Sequence, residues 1–150
     1  MKQRTDGYNP MRHDCDKNGC WNKLYRPRIE FFAEVLPRNI GMTDIDATVE
    51  VGGHFLIMEW KSHDAKLQTG QKIYFERLTA LSEKITVVVV SCENHPEDIT
   101  SCQVIKGGKL YHIEKCNFDG LQRRVKNWAD KVEGNRFKPD IDFYPSVAQK

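Results

Sequence analysis

A chain of 150 residues, 39% hydrophobic and 29% charged, has the composition of a globular domain and enough length to bury a core of its own. No apolar run reaches the roughly 18 residues of a membrane span. The polar opening MKQRTDGYNPMRHDCDKNGCW has no apolar stretch to serve as a signal peptide, so the cytoplasm is the expected compartment and no membrane partner is expected.

The formal net charge of +2 conceals an uneven distribution. Residues 1–28 carry seven basic side chains against three acidic ones, and residues 121–138 carry six against two. Between residues 39 and 64 the balance reverses, with Asp44, Asp46, Glu50, Glu59 and Asp64 facing only Lys61. Basic flanks around an acidic centre suit a polyanion whose reactive atom is handled by a metal held on carboxylates. Such flanks are also ordinary solvated surface. The five cysteines, an odd number without a secretory signal, argue against a disulfide framework. Cys92 and Cys102 lie beside predicted strands, where cysteine packs as a small apolar residue.

In chain order, residues 1–27 read as an irregular basic lead-in. RIEFFAEVL (Arg28–Leu36) is amphipathic as either helix or strand, and periodicity does not choose between them. Pro37, Asn39 and Gly41 break the chain before Thr43–Lys61, TDIDATVEVGGHFLIMEWK, which reads as a hairpin around Gly52-Gly53. A polar loop follows. Leu67, Tyr74, Leu78 and Leu81 then mark a helix, and the β-branched run ITVVVVSC (Ile85–Cys92) marks a central strand buried on both faces. CQVIKGGKLYHI (Cys102–Ile113) reads as a second hairpin around Gly107-Gly108. GLQRRVKNWADKV (Gly120–Val132) places Leu121, Val125, Trp128 and Val132 on one face of a basic amphipathic helix. Residues 134–150, with two prolines, read as an extended tail. The order predicts an α/β fold, a mixed sheet flanked by helices over residues 28–133.

Counting outward from a two-residue turn at Gly52-Gly53 fixes the register of the first hairpin. Val51 faces His54, Val49 faces Leu56, Ala47 faces Met58 and Ile45 faces Trp60, which makes one side apolar apart from His54. On the other side Glu50 meets Phe55, Thr48 meets Ile57, Asp46 meets Glu59 and Asp44 meets Lys61. Directly opposed carboxylates repel unless a positive charge lies between them. Lys61 supplies one such charge, and a divalent cation would supply two. Carboxylate oxygens are the ligands Mg²⁺ and Mn²⁺ prefer, and such an ion activates water and stabilises a charged phosphoryl transition state. The plain alternative is a solvated polar face with an Asp44–Lys61 salt bridge.

Asp46 followed thirteen residues later by Glu59-Trp60-Lys61 resembles the D…(D/E)-x-K core of the PD-(D/E)xK nuclease superfamily. GMTDID (Gly41–Asp46) before the strand and the apolar FLIM run into the E-x-K are similar to the usual setting. GQKIYF (Gly70–Phe75) resembles the Gln and Tyr that follow on the next helix in the RecB-like branch, through Gln71 and Tyr74. The LP-x-N…TDID…EWK flow resembles small phage-encoded nucleases. The motif spans residues 41–75, about a quarter of the chain. The proline that names the motif is absent: Ile45 precedes Asp46, which leaves Asp44 or Asp46 as the main ligand, with equal spacing favouring Asp46.

This resemblance implies a restriction-endonuclease-like fold and a Mg²⁺-dependent (or Mn²⁺-dependent) deoxyribonuclease. Asp46 and Glu59 would bind the metal, Lys61 would position the attacking water, and Gln71 would orient Lys61 or the phosphate. Asp44 and Tyr74 would be auxiliary. Glu30 or Glu34, on the first helix, would complete the site, although each is equally a solvated helix residue.

DNA is the expected partner, with Arg123, Arg124 and Lys126 of the basic helix on its phosphates. His13, Cys15 and Cys20 have a spacing compatible with half of a zinc site, but no second pair lies near them in sequence. The sequence leaves oligomeric state open, a homodimer included. The rival expectation is a non-catalytic DNA-binding or phage accessory module that keeps the nuclease fold.

Overall fold

The computed structural model describes residues 32, 34–62 and 65–135. The chain divides into two units, Met1–Asp44 and Ile45–Lys150. In the first, the amides of Val35 and Leu36 both donate to the Phe32 carbonyl, and a short 3-10 turn spans Pro37–Asn39. Proline fits the first position of such a turn because its missing N–H would have no partner there.

The second unit holds a mixed sheet and two helices among the described residues: β1 (Ala47–Val51), β2 (His54–Ser62), α1 (Thr69–Ala80), β3 (Ile85–Cys92), β4 (Ile99–Lys106), β5 (Lys109–Leu110), β6 (Glu114–Lys115) and α2 (Phe118–Gly134). The strand order is β1-β2-β3-β4-β5, with β6 also on β4. β2 and β3 are parallel, joined through α1, and the other pairs are antiparallel. This is an α/β fold. No described helix is long and apolar enough to cross a membrane.

The β1–β2 register is the one counted from the Gly-Gly turn, from Ala47 opposite Met58 to Val51 opposite His54. Gly52 and Gly53 have φ of 59° and 82°, the left-handed values that a tight hairpin requires and that glycine adopts without a Cβ penalty. The ladder does not extend to the Ile45–Trp60, Asp46–Glu59 and Asp44–Lys61 pairs that the sequence count adds. It stops at Ala47.

β3 is the centre of the sheet, and its residues alternate between two cores. Val88 and Val90 join Leu56 and Leu121 of α2 on one face, while Val87 and Val89 join Ile57 and Phe75 of α1 on the other. Fully burying an aliphatic side chain contributes about 1.5–3 kcal/mol, so Val87, Val90, Leu56 and Ile105 anchor the sheet on both sides. β2 is therefore covered on its second face as well, where Ile57 and Glu59 are both buried.

α1 departs from the expected stripe. Phe75 and Thr79 are its buried residues, Leu67 and Leu78 pack beside them, and Tyr74 and Leu81 face outward. The inward row is Gln71, Phe75, Leu78 and Thr79, and two of those four are polar, so an apolar-only pattern selects Tyr74 instead. The Thr79 hydroxyl donates to the Phe75 carbonyl (2.8 Å) and accepts from the Gly108 amide (3.1 Å), tying α1 to the β4–β5 turn. α2 follows the predicted face, with Leu121 and Val132 buried and Val125 and Trp128 packed against the core. Its start is capped by Asn117, whose side chain accepts from the Gly120 amide at 2.8 Å.

The second hairpin turns at Gly107-Gly108 as expected, but its return strand β5 is only two residues long. After Leu110 the Gln103 side chain donates to the Tyr111 carbonyl at 2.7 Å. The Tyr111 amide still donates to the Val104 carbonyl at 2.9 Å, so the side chain adds to the last backbone bond there.

Candidate active site

Glu59 lies near the C-terminal end of β2, on the face covered by α1. Its side chain is only 8% exposed. A buried carboxylate is costly unless it is paired and hydrogen-bonded. Two donors meet that requirement at one oxygen: Lys61 Nζ and Gln71 Nε2 each lie 2.8 Å from Glu59 Oε1. Period-2 alternation puts Glu59 and Lys61 on the same face of β2. The first turn of α1 brings Gln71 down onto that face. Glu59 Oε2 takes no hydrogen bond from the described residues.

Gln71 completes the cluster with an anomaly. Its Oε1 is buried and has no hydrogen-bond partner among the described residues. Native structures rarely leave such an atom orphaned, and one often marks a site for a water or an ion. Nε2 is fixed as the donor by the carboxylate it faces, so exchanging the amide atoms does not remove the orphan.

Asp46 immediately precedes β1, and its Oδ2 accepts from the Trp60 amide at 2.7 Å. The Phe55 amide donates to Lys84, on the β3 side of β2; Trp60, five residues on, has its amide on the β1 side. With the ladder ended at Ala47, the Asp46 carboxylate supplies the acceptor that a further β1 carbonyl would have provided. The indole of Trp60 packs on the opposite face and donates Nε1–H to the Pro96 carbonyl at 3.2 Å. One carboxylate thus sits at the edge of β2 and another on its α1 face, one residue apart along the strand.

Lys61 takes Glu59 as its salt-bridge partner. Asp44 and Glu34 lie in the first unit, both exposed. Glu30, His13, Cys15 and Cys20 lie outside the described residues. Tyr74 is exposed, stacks edge-on against Phe75 with ring centroids 5.3 Å apart, and takes no part in the Glu59 hydrogen bonds. On α2, Arg124 pairs with Glu114 and Lys126 with Asp130, while Arg123 forms no ion pair with a described residue. The hydrogen bond that Arg124 donates to Glu114 raises the pKa of Arg124 further, keeping it charged.

Two features of the site are not read from the E-x-K pattern. One is the Trp60 amide as a partner for Asp46. The other is the row beside the cluster, where Lys61 is level with Ser91 and Ser101, and Glu59 with Val89 and Gln103. The change from valine to serine at the end of ITVVVVSC is the sequence signal for that row.

Among the described residues no group of three or more His, Cys, Asp or Glu side chains converges as a metal cage. Mg²⁺ does not need one: it is commonly held by one or two carboxylates together with waters and substrate phosphates. Asp46, Glu59 and the orphaned Gln71 oxygen are hard oxygen donors of that kind. Compared with protein-family models, curated proteins and solved structures, the chain matches none.

Proposed function

We propose that this protein is a metal-dependent nuclease with a restriction-endonuclease-like sheet, hydrolysing phosphodiester bonds in DNA. The observation that carries this reading is the buried Glu59 carboxylate, held at one oxygen by Lys61 and Gln71 beside an acceptor atom that no described residue satisfies. A parallel β2–β3 pair joined through α1, with β1 antiparallel to β2, also suits that fold.

Asp46 and Glu59 would hold Mg²⁺ or Mn²⁺. When bound, such an ion neutralises the phosphate and makes its water a stronger nucleophile. The chain's own groups do the remaining work. Gln71 fixes the Glu59 carboxylate through Oε1 and leaves Oε2 as the ligand oxygen. Lys61, positioned by the same oxygen, presents an ammonium that orients the attacking water and offsets negative charge developing on the phosphate. Water adds to phosphorus, the bond to one ester oxygen breaks, and that oxygen leaves with a proton.

A second reading is a DNA-binding module that retains the fold. It is favoured by the fact that both carboxylates already have partners within the chain, Asp46 on the Trp60 amide and Glu59 on Lys61. Incubating the protein with single-stranded, duplex and branched DNA, with and without Mg²⁺ or Mn²⁺, separates the two. Metal-dependent cleavage supports the nuclease, and binding without cleavage supports the module.

A further inference from the structure

We propose that the cavity beside Glu59 and Lys61 binds one unpaired nucleotide, so that this protein acts on single-stranded or locally opened nucleic acid. Identifying that nucleotide as substrate rests on the nuclease reading above, whereas its binding does not.

The cavity has a volume of about 510 Å³, within the range of about 300–1,000 Å³ typical of small-ligand sites. Its floor is the α1-side face of β3 and β4, including Val89, Ser91, Ser101 and Gln103. The sheet register places this floor directly beside the cluster, because Lys61, Ser91 and Ser101 are level across three strands, as are Glu59, Val89 and Gln103. Neighbouring strands lie about 4.8 Å apart, so a ligand on Ser91 is one strand away from Lys61.

The chemistry of the lining selects the ligand. Lys66 and Lys72 contribute two positive charges, and none of the described lining residues is acidic, so the ligand is anionic. Leu67, Leu110 and Val89 provide apolar surface for the face of a flat ring. The serine hydroxyls and Gln103 provide hydrogen bonds for its edge. Gln103 is preset: its Nε2 is committed to the Tyr111 carbonyl, which leaves Oε1 as its accepting atom. A negatively charged group, a flat apolar face and a polar edge together describe a nucleotide. Stacked, paired bases in a duplex cannot present a single base to such a recess without unpairing.

The test measures binding of a short labelled single strand and of the same sequence as duplex to the full chain, in EDTA, by fluorescence anisotropy. Single strand is expected to bind on the order of tenfold more tightly. Ser101→Trp, which fills the recess, is expected to remove that preference. Lys66→Glu combined with Lys72→Glu, at exposed positions, is expected to weaken single-strand binding more than duplex binding, and this holds the test open should Ser101→Trp fail to fold. Equal or tighter duplex binding by wild type overturns the inference, as does an unchanged preference in the double-lysine variant. Because no metal is present, the preference with no cleavage in any metal removes the nuclease reading alone. Cleavage without the preference removes this inference alone.

Discussion

The Asp46 carboxylate accepts a 2.7 Å hydrogen bond from the Trp60 amide, one residue beyond the last β1–β2 pair. Asp46 therefore has a structural role that exists whether or not a metal binds, and the two roles separate by substitution. Asn keeps the accepting oxygen and removes the charge; Ala removes both. Asp46→Asn is expected to melt within about 0.5 kcal/mol of wild type and Asp46→Ala to lose about 1 kcal/mol. Both are expected to lose metal-dependent cleavage. Thermal denaturation beside a cleavage assay checks this, and full activity in Asp46→Asn leaves the residue with its structural role only.

Thr79 joins α1 to the β4–β5 turn through a hydroxyl that is fully buried. Thr79→Val preserves shape but orphans the Gly108 amide, with an expected loss of about 1–3 kcal/mol. Thr79→Ser keeps the hydroxyl and is expected to lose less. Urea denaturation of the two variants gives the comparison, and equal stabilities would mean that the hydroxyl bond contributes nothing.

The Cys102 thiol is pushed from the ordinary 9.0 up to about 11, first by burial and then by the neighbouring Cys116. In the unfolded chain this thiol ionises at the lower value. Its contribution to stability is therefore fully present below about pH 9 and is lost as pH rises towards about 11. Cys102→Ala is expected to flatten the fall in stability across that alkaline window while costing packing at neutral pH. Melting curves of both proteins at several alkaline pH values supply the test.

On α2, Arg124 and Lys126 are held by Glu114 and Asp130, and Arg123 is without such a partner among the described residues. Each phosphate contact contributes a slope of about −0.9 in log affinity against log salt. Arg123→Ala is expected to reduce that slope by about one contact, and Lys126→Ala by less. Identical slopes in all three proteins would return α2 to ordinary surface.

How much of this was legible follows from where each signal resides. Gly52-Gly53 set the β1–β2 register through turn geometry, and the β-branched run at Ile85–Cys92 placed β3 at the centre. The resemblance put Gln71 on Lys61 or the phosphate, whereas its Nε2 donates to Glu59; that contact was not legible, since no local rule brings a helix residue onto a particular strand residue. Counting could not show that the ladder stops at Ala47, because the competing acceptor is the Asp46 side chain itself. The orientation of α1 was hidden for a related reason: its inward row uses Gln71 and Thr79, polar residues that meet Glu59 and Gly108, each distant in sequence.

Lys61 tests the central claim most directly. Its removal leaves both carboxylates in place but strips Glu59 of its ion-pair partner, so Lys61→Ala is expected to lose about 1–3 kcal/mol of stability and still fold. The measurement is metal-dependent DNA cleavage by wild type and Lys61→Ala, at a temperature where melting curves show both folded. A nuclease that uses the Lys61 ammonium to orient water and stabilise charge loses on the order of 10²–10³-fold in rate. Equal rates would exclude that role, and no cleavage by wild type of any nucleic-acid form with Mg²⁺ or Mn²⁺ would contradict the nuclease itself.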